Sequence, residues 1–93
     1  MSRKQVRWRQ RALSDLQAIH DWLATLDGAD PQRAIERIRA AADAMVRLGD
    51  IGRPSVEPGL RELSVRHAPY VIAYRVSGDD IDIIAVYHTA QRR

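Results

Sequence analysis

The chain has 93 residues, the size of one small domain, so we predict a single domain over residues 1–93. Hydrophobic residues make up 45% of the chain, which favours a folded globular protein, and the absence of cysteine excludes disulfides and thiolate metal sites. The net charge is +3, no apolar run is long enough to cross a membrane, and no apolar segment follows the charged N-terminus. We therefore expect a cytoplasmic protein that does not associate with membranes.

The N-terminal half predicts a short strand and then two helices. Val6 and Trp8 alternate with arginines, which is typical of a strand. A first apolar stripe predicts a helix that runs to Gly28; its members are Leu13, Leu16, Ile19, Leu23 and Leu26. A second helix is predicted from Asp30-Pro31, an N-cap followed by a first-turn proline, to a C-cap at Gly49. Its stripe comprises Ala34, Ile35, Ile38, Ala42, Met45 and Leu48. The short link predicts an antiparallel helical hairpin.

The C-terminal half predicts three strands after a loop over residues 49–59, which is rich in glycine and proline. The strands are expected at residues 60–66, 70–77 and 81–88, and residues 77–80 suit a hairpin turn between the last two. The predicted element order is β-α-α-β-β-β, an α+β fold.

The register of the last hairpin follows from its turn. If Val76 pairs with Ile81, then Arg75 faces Asp82 and Tyr70 faces Tyr87. His88 then follows Val86 on the face opposite the helices, which is only half polar. A slip of one residue would exchange the two faces.

Basic residues crowd the N-terminus without an acid among them. They are Arg3, Lys4, Arg7, Arg9 and Arg11, and Arg92 and Arg93 close the chain. Such clusters either form a solvated surface or attract nucleic acid or an acidic protein. A small nucleic-acid-binding module that uses the residues 3–11 cluster is therefore one function to test.

The chemistry-bearing residues indicate no metal site and no cofactor. The three histidines have no metal-ligand spacing, and no glycine-rich phosphate loop is present. His20 is expected on a helix surface and His67 in a loop, whereas His88 at a strand end is a candidate general acid or base, or else a structural rim residue.

Metal-free RNA cleavage needs an acid, a base and cations for the phosphate. His88 with Glu57 or Glu62 could supply the first two. The candidate cations are Arg61, Arg75, Arg92 and Arg93. Structural roles compete: Arg61 shares the parity of the core residues of its strand, and Arg75 is expected to pair with Asp82. Glu62 is expected to face the open side of the sheet.

Several short strings, in this order, resemble the RelE/ParE toxin superfamily of type II toxin–antitoxin systems. They are Trp8, Ala12, Asp15-Leu16 and Ile19 in the first helix region, and Gly52-Arg53, Arg61-Glu62-Leu63, Tyr70-Val71-Ile72, Tyr74-Arg75-Val76, His88 and Gln91 afterwards. The resemblance spans nearly the whole chain. It implies a helical hairpin packed on a small, mostly antiparallel sheet.

The resemblance favours the ParE branch. Ribosome-dependent nucleases of the superfamily carry an arginine after the tyrosine that opens the 70–77 strand, where this chain has Val71. ParE-like members poison DNA gyrase by trapping its cleaved DNA complex, which is binding rather than catalysis. The expected gyrase contacts are His88, Gln91, Arg92 and Arg93, with Arg61 as a further candidate. The alternative is a RelE-like mRNA endoribonuclease with His88, Arg61 and Glu62 as catalytic residues.

The resemblance also implies a cognate ParD-like antitoxin, a small acidic or amphipathic protein that forms a hetero-oligomer with the toxin. Apolar residues off or at the edge of the core stripes are candidates for its contact, or else complete a small core: Trp22, Leu26 and Val46. A further alternative is an inactive toxin homologue that acts only in the antitoxin complex, in repression or plasmid maintenance.

Overall fold

The computed structural model describes residues 5–49 and 51–91. Its elements are β1 (Gln5–Trp8), α1 (Gln10–Leu23), α2 (Pro31–Leu48), β2 (Arg53–Pro54), β3 (Arg61–Ser64), β4 (Tyr70–Ser77), β5 (Asp80–His88) and a C-terminal 3-10 turn (Thr89–Gln91). The strands form one five-stranded sheet in the order β1-β5-β4-β3-β2. β1 runs parallel to β5, and the other neighbours are antiparallel. The predicted α+β fold is confirmed.

The helix ends follow the capping residues in α2 but not in α1. Asp30 caps α2 by accepting a hydrogen bond from the backbone N–H of Arg33 at 3.1 Å, and Gly49 ends the helix with φ 83°. The prediction that α1 runs to Gly28 is wrong, since it ends at Leu23. The Thr25 hydroxyl donates to the Trp22 carbonyl at 2.6 Å, in competition with the helical backbone pattern.

The core lies between the helical hairpin and one face of the sheet. Its fully buried members come from α1, α2, β4 and β5: Ala12, Ile38, Ala42, Met45, Ile72, Tyr74, Ile81 and Ile83. Three predicted stripe residues are instead exposed: Leu13 by 43%, Leu26 by 42% and Leu48 by 63%. The predicted stripes therefore mark the correct helix faces but are wider than the buried surface.

The predicted loop over residues 49–59 contains a strand that the sequence analysis missed. β2 pairs with β3 through Arg53 and Pro54. Just before it, the Gly52 N–H donates to the Tyr74 hydroxyl oxygen at 2.9 Å. A Cβ atom at position 52 would overlap that hydroxyl and the carbonyl oxygen of Glu62. Glycine is required here because the backbone approaches the core directly.

The predicted register of the last hairpin holds near its turn and fails beyond it. Val76 pairs with Ile81 and Tyr74 with Ile83, but Ala73 then pairs with Ala85, so Ile84 is an extra residue on β5. Such a bulge exchanges the faces of all later residues because side chains alternate along a strand. Tyr70 therefore lies opposite His88 rather than Tyr87.

The bulge corrects the placement of His88. Val86 belongs to the core cluster, so the residues of its parity lie on the face covered by the helices. His88 shares that parity and lies at the helix-facing end of β5, not on the opposite face as predicted.

Asp82 lies opposite Arg75 as predicted, but its ion pair comes from another strand. Arg7 of β1 is level with Asp82 in the parallel pairing, and its Nε lies 2.9 Å from Asp82 Oδ1. Arg7 also lies 3.6 Å from Asp80. The hydrogen bond and the charge of Asp82 raise the pKa of the Arg7 guanidinium above its usual value. This pair ties the N-terminal strand to the last one.

Candidate functional site at the end of strand β5

His88 is held between two aromatic rings. The Tyr70 ring, on the neighbouring strand, meets it edge to face with centroids 5.5 Å apart, and the Trp22 ring of α1 does so at 6.2 Å. Edge-to-face aromatic pairs contribute roughly 0.5–1.5 kcal/mol beyond their buried area. One ring from the sheet and one from the helix therefore orient the imidazole.

The C-terminal turn that follows His88 is held by hydrogen bonds from consecutive amides. The Thr89 N–H donates to the Pro69 carbonyl oxygen at 2.8 Å, and the Ala90 N–H donates to His88 Nδ1 at 3.0 Å. Because Nδ1 accepts, a neutral His88 carries its proton on Nε2. The direction of the chain after β5 thus depends on the β3–β4 connection and on the imidazole.

Two of the predicted target-contact residues adjoin or belong to this turn: His88 ends β5 directly before it, and Gln91 is its last residue. Arg92 and Arg93 lie outside the described residues. Arg61 lies elsewhere, on β3, where its guanidinium donates to the Gly52 carbonyl oxygen at 2.8 Å.

A groove opens beside His88. One part of it, about 470 Å³ in volume, is lined by Ala18, Trp22, Tyr70, His88 and Ala90. A second part, about 380 Å³, shares the three aromatic rings and reaches the first turns of α2, where Arg33 and Arg37 line it. Burial raises the pKa of the Tyr70 hydroxyl above its usual 10.0.

Three residues that line the groove are not predicted from the sequence: Tyr70, Arg33 and Arg37. Arg37 Nη1 donates to the His67 carbonyl oxygen at 3.0 Å, which joins α2 to the β3–β4 connection. The only sequence signal was Pro69-Tyr70 at the start of a strand. That signal locates a strand end but not the helix that comes to lie beside it.

Glu62 lies on the predicted face of the sheet but is buried. It alternates with Leu63, which packs against the core, and its side chain is only 5% exposed. Its carboxylate accepts from the Ser55 hydroxyl at 3.1 Å and lies 3.9 Å from Arg53 Nε. Glu57 is exposed in the loop before β3. Ser55 and Arg53 therefore bind Glu62 to the β2 region.

The structure does not bring His88, Arg61 and Glu62 together. Arg61 lies opposite Tyr74, and His88 lies opposite Tyr70, four positions away on β4. At about 3.4 Å per residue, this separates the positions of Arg61 and His88 by roughly 14 Å along the strand direction. Arg61 and Glu62 are adjacent in β3 and so point to opposite faces.

Val71 occupies the position at which the nuclease branch would have an arginine. It lies between Ser64 and Tyr87 on the neighbouring strands and is 3% exposed. A nuclease of that branch would need a phosphate-binding cation at this position. This chain has a buried aliphatic side chain there instead.

The predicted antitoxin contacts are all exposed. Trp22 is 52% exposed, Val46 44% and Leu26 42%. Trp22 lines the groove beside His88, whereas Leu26 lies in the turn after α1 and Val46 near the end of α2. The three residues therefore span different parts of the hairpin.

The predicted basic cluster is partly neutralised. Arg3 and Lys4 lie outside the described residues. Arg7 pairs with Asp82, and Arg11 lies 3.3 Å from Asp15. Along residues 5–49 and 51–91, no group of three or more potential metal-ligating side chains is present, and none of the helices there is long and apolar enough to span a bilayer.

Comparison with known proteins gives concordant matches. A family model for the ParE toxin of the type II toxin–antitoxin system parDE matches residues 6–93. A protein of Sinorhizobium fredii named toxin Y4kP is 38% identical over 92 residues, covering 99% of this chain and 95% of that protein. Toxin RelE2 of Caulobacter vibrioides is 38% identical over 87 residues, covering 94% and 97%. A solved chain of the chromosomal ParDE toxin–antitoxin system of P. aeruginosa is 30% identical with a TM-score of 0.81, covering 91% and 95%.

Proposed function

This chain belongs to the ParE toxin family of type II toxin–antitoxin systems, within the RelE/ParE superfamily, and from that membership we propose that it poisons DNA gyrase. In this proposal the toxin binds gyrase while its DNA is cleaved and stabilises that complex. A cognate antitoxin neutralises it. The action is binding, and the chain itself transforms no substrate.

The position of His88 is the observation that carries this proposal. Metal-free RNA cleavage would need its acid, base and cation around one phosphate. Here His88 packs against Trp22 and Tyr70, and its Nδ1 accepts from the Ala90 amide. Arg61 and Glu62 lie at a different part of the sheet, on opposite faces. This separation favours a binding role over an RNase role.

The C-terminal end is the proposed gyrase contact. His88 and Gln91 bracket the turn that leads to Arg92 and Arg93. Arginine suits both phosphates and carboxylates, which a gyrase–DNA complex offers together. A ligand shifts an equilibrium only through its preference for one state, so Gln91, Arg92 and Arg93 are the residues that we propose contact a surface present in the cleaved complex. Arg61 is a weaker candidate because its guanidinium donates to Gly52.

The proposed antitoxin covers the exposed part of the helical hairpin and the groove beside it. Trp22 is a large exposed anchor, and Arg33 and Arg37 on the same groove favour an acidic partner. The similar solved chain from P. aeruginosa belongs to a ParDE toxin–antitoxin system, which supports an antitoxin as the partner. A hetero-oligomer of toxin and antitoxin is the form that we expect in the cell.

The test is a cleavage assay with gyrase, supercoiled plasmid, ATP and the purified chain, stopped with detergent and protease. Linear DNA should rise with added toxin and disappear when the antitoxin is added. The double variant Arg92→Ala/Arg93→Ala should produce less linear DNA, and Arg75→Ala, a matched exposed arginine of β4, should behave like the wild type. Failure to produce linear DNA with verified active gyrase contradicts the proposal.

Three alternative functions predict different experimental results: an mRNA endoribonuclease, an inactive homologue and a nucleic-acid-binding module. A chain that arrests growth without trapping gyrase is next tested for ribosome-dependent mRNA cleavage, the alternative with His88, Arg61 and Glu62. A nuclease should lose cleavage and keep its fold in His88→Ala and Arg61→Ala. A chain that binds its antitoxin without slowing growth is an inactive homologue. Duplex binding with steep salt dependence indicates a nucleic-acid module.

A further inference from the structure

We propose that His88 is a positioning residue, whose Nδ1 accepts a hydrogen bond from the Ala90 amide and so fixes the backbone direction of the C-terminal turn that ends at Gln91. The functional part of this inference rests on the proposed function, in which the C-terminal end contacts the target. The structural part concerns one hydrogen bond and stands apart from it. In both parts His88 acts through the backbone of the turn.

The turn depends on this bond because it has little stability of its own. A 3-10 turn has poorer hydrogen-bond geometry than an α-helix and occurs only in short pieces. Here the Thr89 amide is anchored on Pro69 and the Ala90 amide on His88 Nδ1. Loss of the imidazole acceptor would leave the Pro69 anchor at the start of the turn and release the backbone that leads to Gln91.

The aromatic rings around His88 make its acceptor directional. Tyr70 and Trp22 both meet the imidazole nearly perpendicularly, at 86° and 85°. Rotation of the His88 ring would disturb both contacts, so Nδ1 stays aimed at the turn. The β-bulge at Ile84 is what brings His88 to this face, next to a helix residue. The bulge thus places His88 on the helix-facing side, the two aromatic rings orient its imidazole, and the imidazole holds the turn.

Three substitutions separate the acceptor from the ring. His88→Asn keeps an acceptor oxygen at the position of Nδ1 but loses the ring. His88→Gln moves the acceptor one bond further out, to the position of Nε2. His88→Phe keeps an aromatic ring between Trp22 and Tyr70 but has no acceptor. Far-UV circular dichroism and the urea midpoint establish that each variant is folded.

The first measurement is amide hydrogen exchange in the full-length ¹⁵N-labelled chain. In His88→Phe, the Ala90 amide should exchange about 3- to 10-fold faster than in the wild type, the effect of losing one ordinary hydrogen bond. The Thr89 amide, held by Pro69, is the internal control and should change less. His88→Asn should keep the Ala90 protection. Equal Ala90 exchange in His88→Phe and the wild type would overturn the proposal.

The second measurement is activity, as linear DNA in the gyrase assay and as growth arrest on expression. His88→Asn should retain activity, whereas His88→Phe and His88→Gln should lose most of it. Loss in all three variants, with Ala90 still protected in His88→Asn, would overturn positioning in favour of direct contact or catalysis. Full activity of His88→Phe would also overturn it.

The two proposals fail in different ways. A wild-type chain that arrests growth without linear DNA defeats the gyrase proposal, while the order of the variants in growth arrest still decides positioning. A wild-type chain with neither activity defeats the functional part of both proposals. The Ala90 exchange rate alone then decides the structural part.

Discussion

The carboxylate of Asp15 in α1 accepts a hydrogen bond from the backbone N–H of Val86 in β5, at 2.9 Å. β1 pairs with β5 only as far as Ile83, whose carbonyl oxygen accepts from the Arg9 amide. Beyond that point a helix side chain takes the place of a strand as the partner of the β5 backbone. Asp15 thus connects the helical hairpin to the bulged segment that places His88.

Replacing Asp15 by alanine should destabilise the fold, because the half-buried Val86 amide loses its acceptor. We expect a loss of about 1–3 kcal/mol in the free energy of unfolding, measured by urea titration. Asp15→Asn should cost less, since an amide oxygen can still accept. Arg11→Ala leaves the Val86 acceptor in place and removes two exposed contacts: the Arg11–Asp15 pair, worth about 0.3–0.5 kcal/mol, and the guanidinium over the Tyr87 ring at 5.9 Å. Equal losses for Asp15→Ala and Arg11→Ala would contradict this role.

Removing Arg7 should destabilise the fold more than removing Arg75, although both arginines lie on strands next to Asp82. The Asp82 side chain is only 7% exposed and takes its ion pair from Arg7. A poorly hydrated carboxylate without its cation is unfavourable. Urea midpoints of Arg7→Ala and Arg75→Ala make the comparison. A larger loss of stability in Arg75→Ala would show that the β4 arginine, not the β1 arginine, is the main partner of Asp82.

A methyl group at Gly52 should cost about 3 kcal/mol of unfolding free energy, because it overlaps the Tyr74 hydroxyl and a backbone carbonyl that cannot move easily. Gly78→Ala is the control: its φ is 62°, but the space around it is open. Its cost should be about 1–2 kcal/mol, from backbone strain alone. Comparable urea midpoints for the two variants would refute a steric requirement at position 52.

The raised pKa of Tyr70 predicts a loss of stability in alkali. A group with a higher pKa in the folded state binds its proton more tightly there, so its contribution is complete below the usual pKa of 10.0. The contribution falls as the pH rises from that value through the raised one. Urea midpoints between about pH 8 and 11 should therefore decline less steeply in Tyr70→Phe than in the wild type. Parallel declines would disprove the contribution of Tyr70.

Trp22→Ala should weaken antitoxin binding more than Leu48→Ala does. Trp22 is an exposed aromatic residue on the groove, whereas the more exposed Leu48 lies at the other end of the hairpin. Central aromatic anchors cost about 2 kcal/mol or more when truncated, roughly a 30-fold rise in Kd. Titration calorimetry with the cognate antitoxin measures both. Unchanged affinity in Trp22→Ala would place the interface elsewhere, with Leu26 and Val46 as the next positions.

Local sequence determined the parts of this fold that depend on neighbouring residues. Asp30 and Gly49 mark the two ends of α2, because a capping carboxylate and a glycine with positive φ each act within one helical turn. The turn after Ser77 likewise acts locally, because it sets which residues pair in the adjoining part of the hairpin, from Val76 to Tyr74. The superfamily and the α+β class followed from the order of such local signals along the chain.

The tertiary structure decided the face on which His88 lies. Residues 83–86 read Ile-Ile-Ala-Val, apolar at both parities, so no alternation in the sequence marks the extra residue at Ile84. The bulge accompanies two contacts with α1 that are remote in the chain: Asp15 with the Val86 amide and Trp22 with His88. An alternating pattern shows which strand residues face the core only where the other face is polar. In this segment both faces are apolar, and the contacts with α1 determine which residues face the helices.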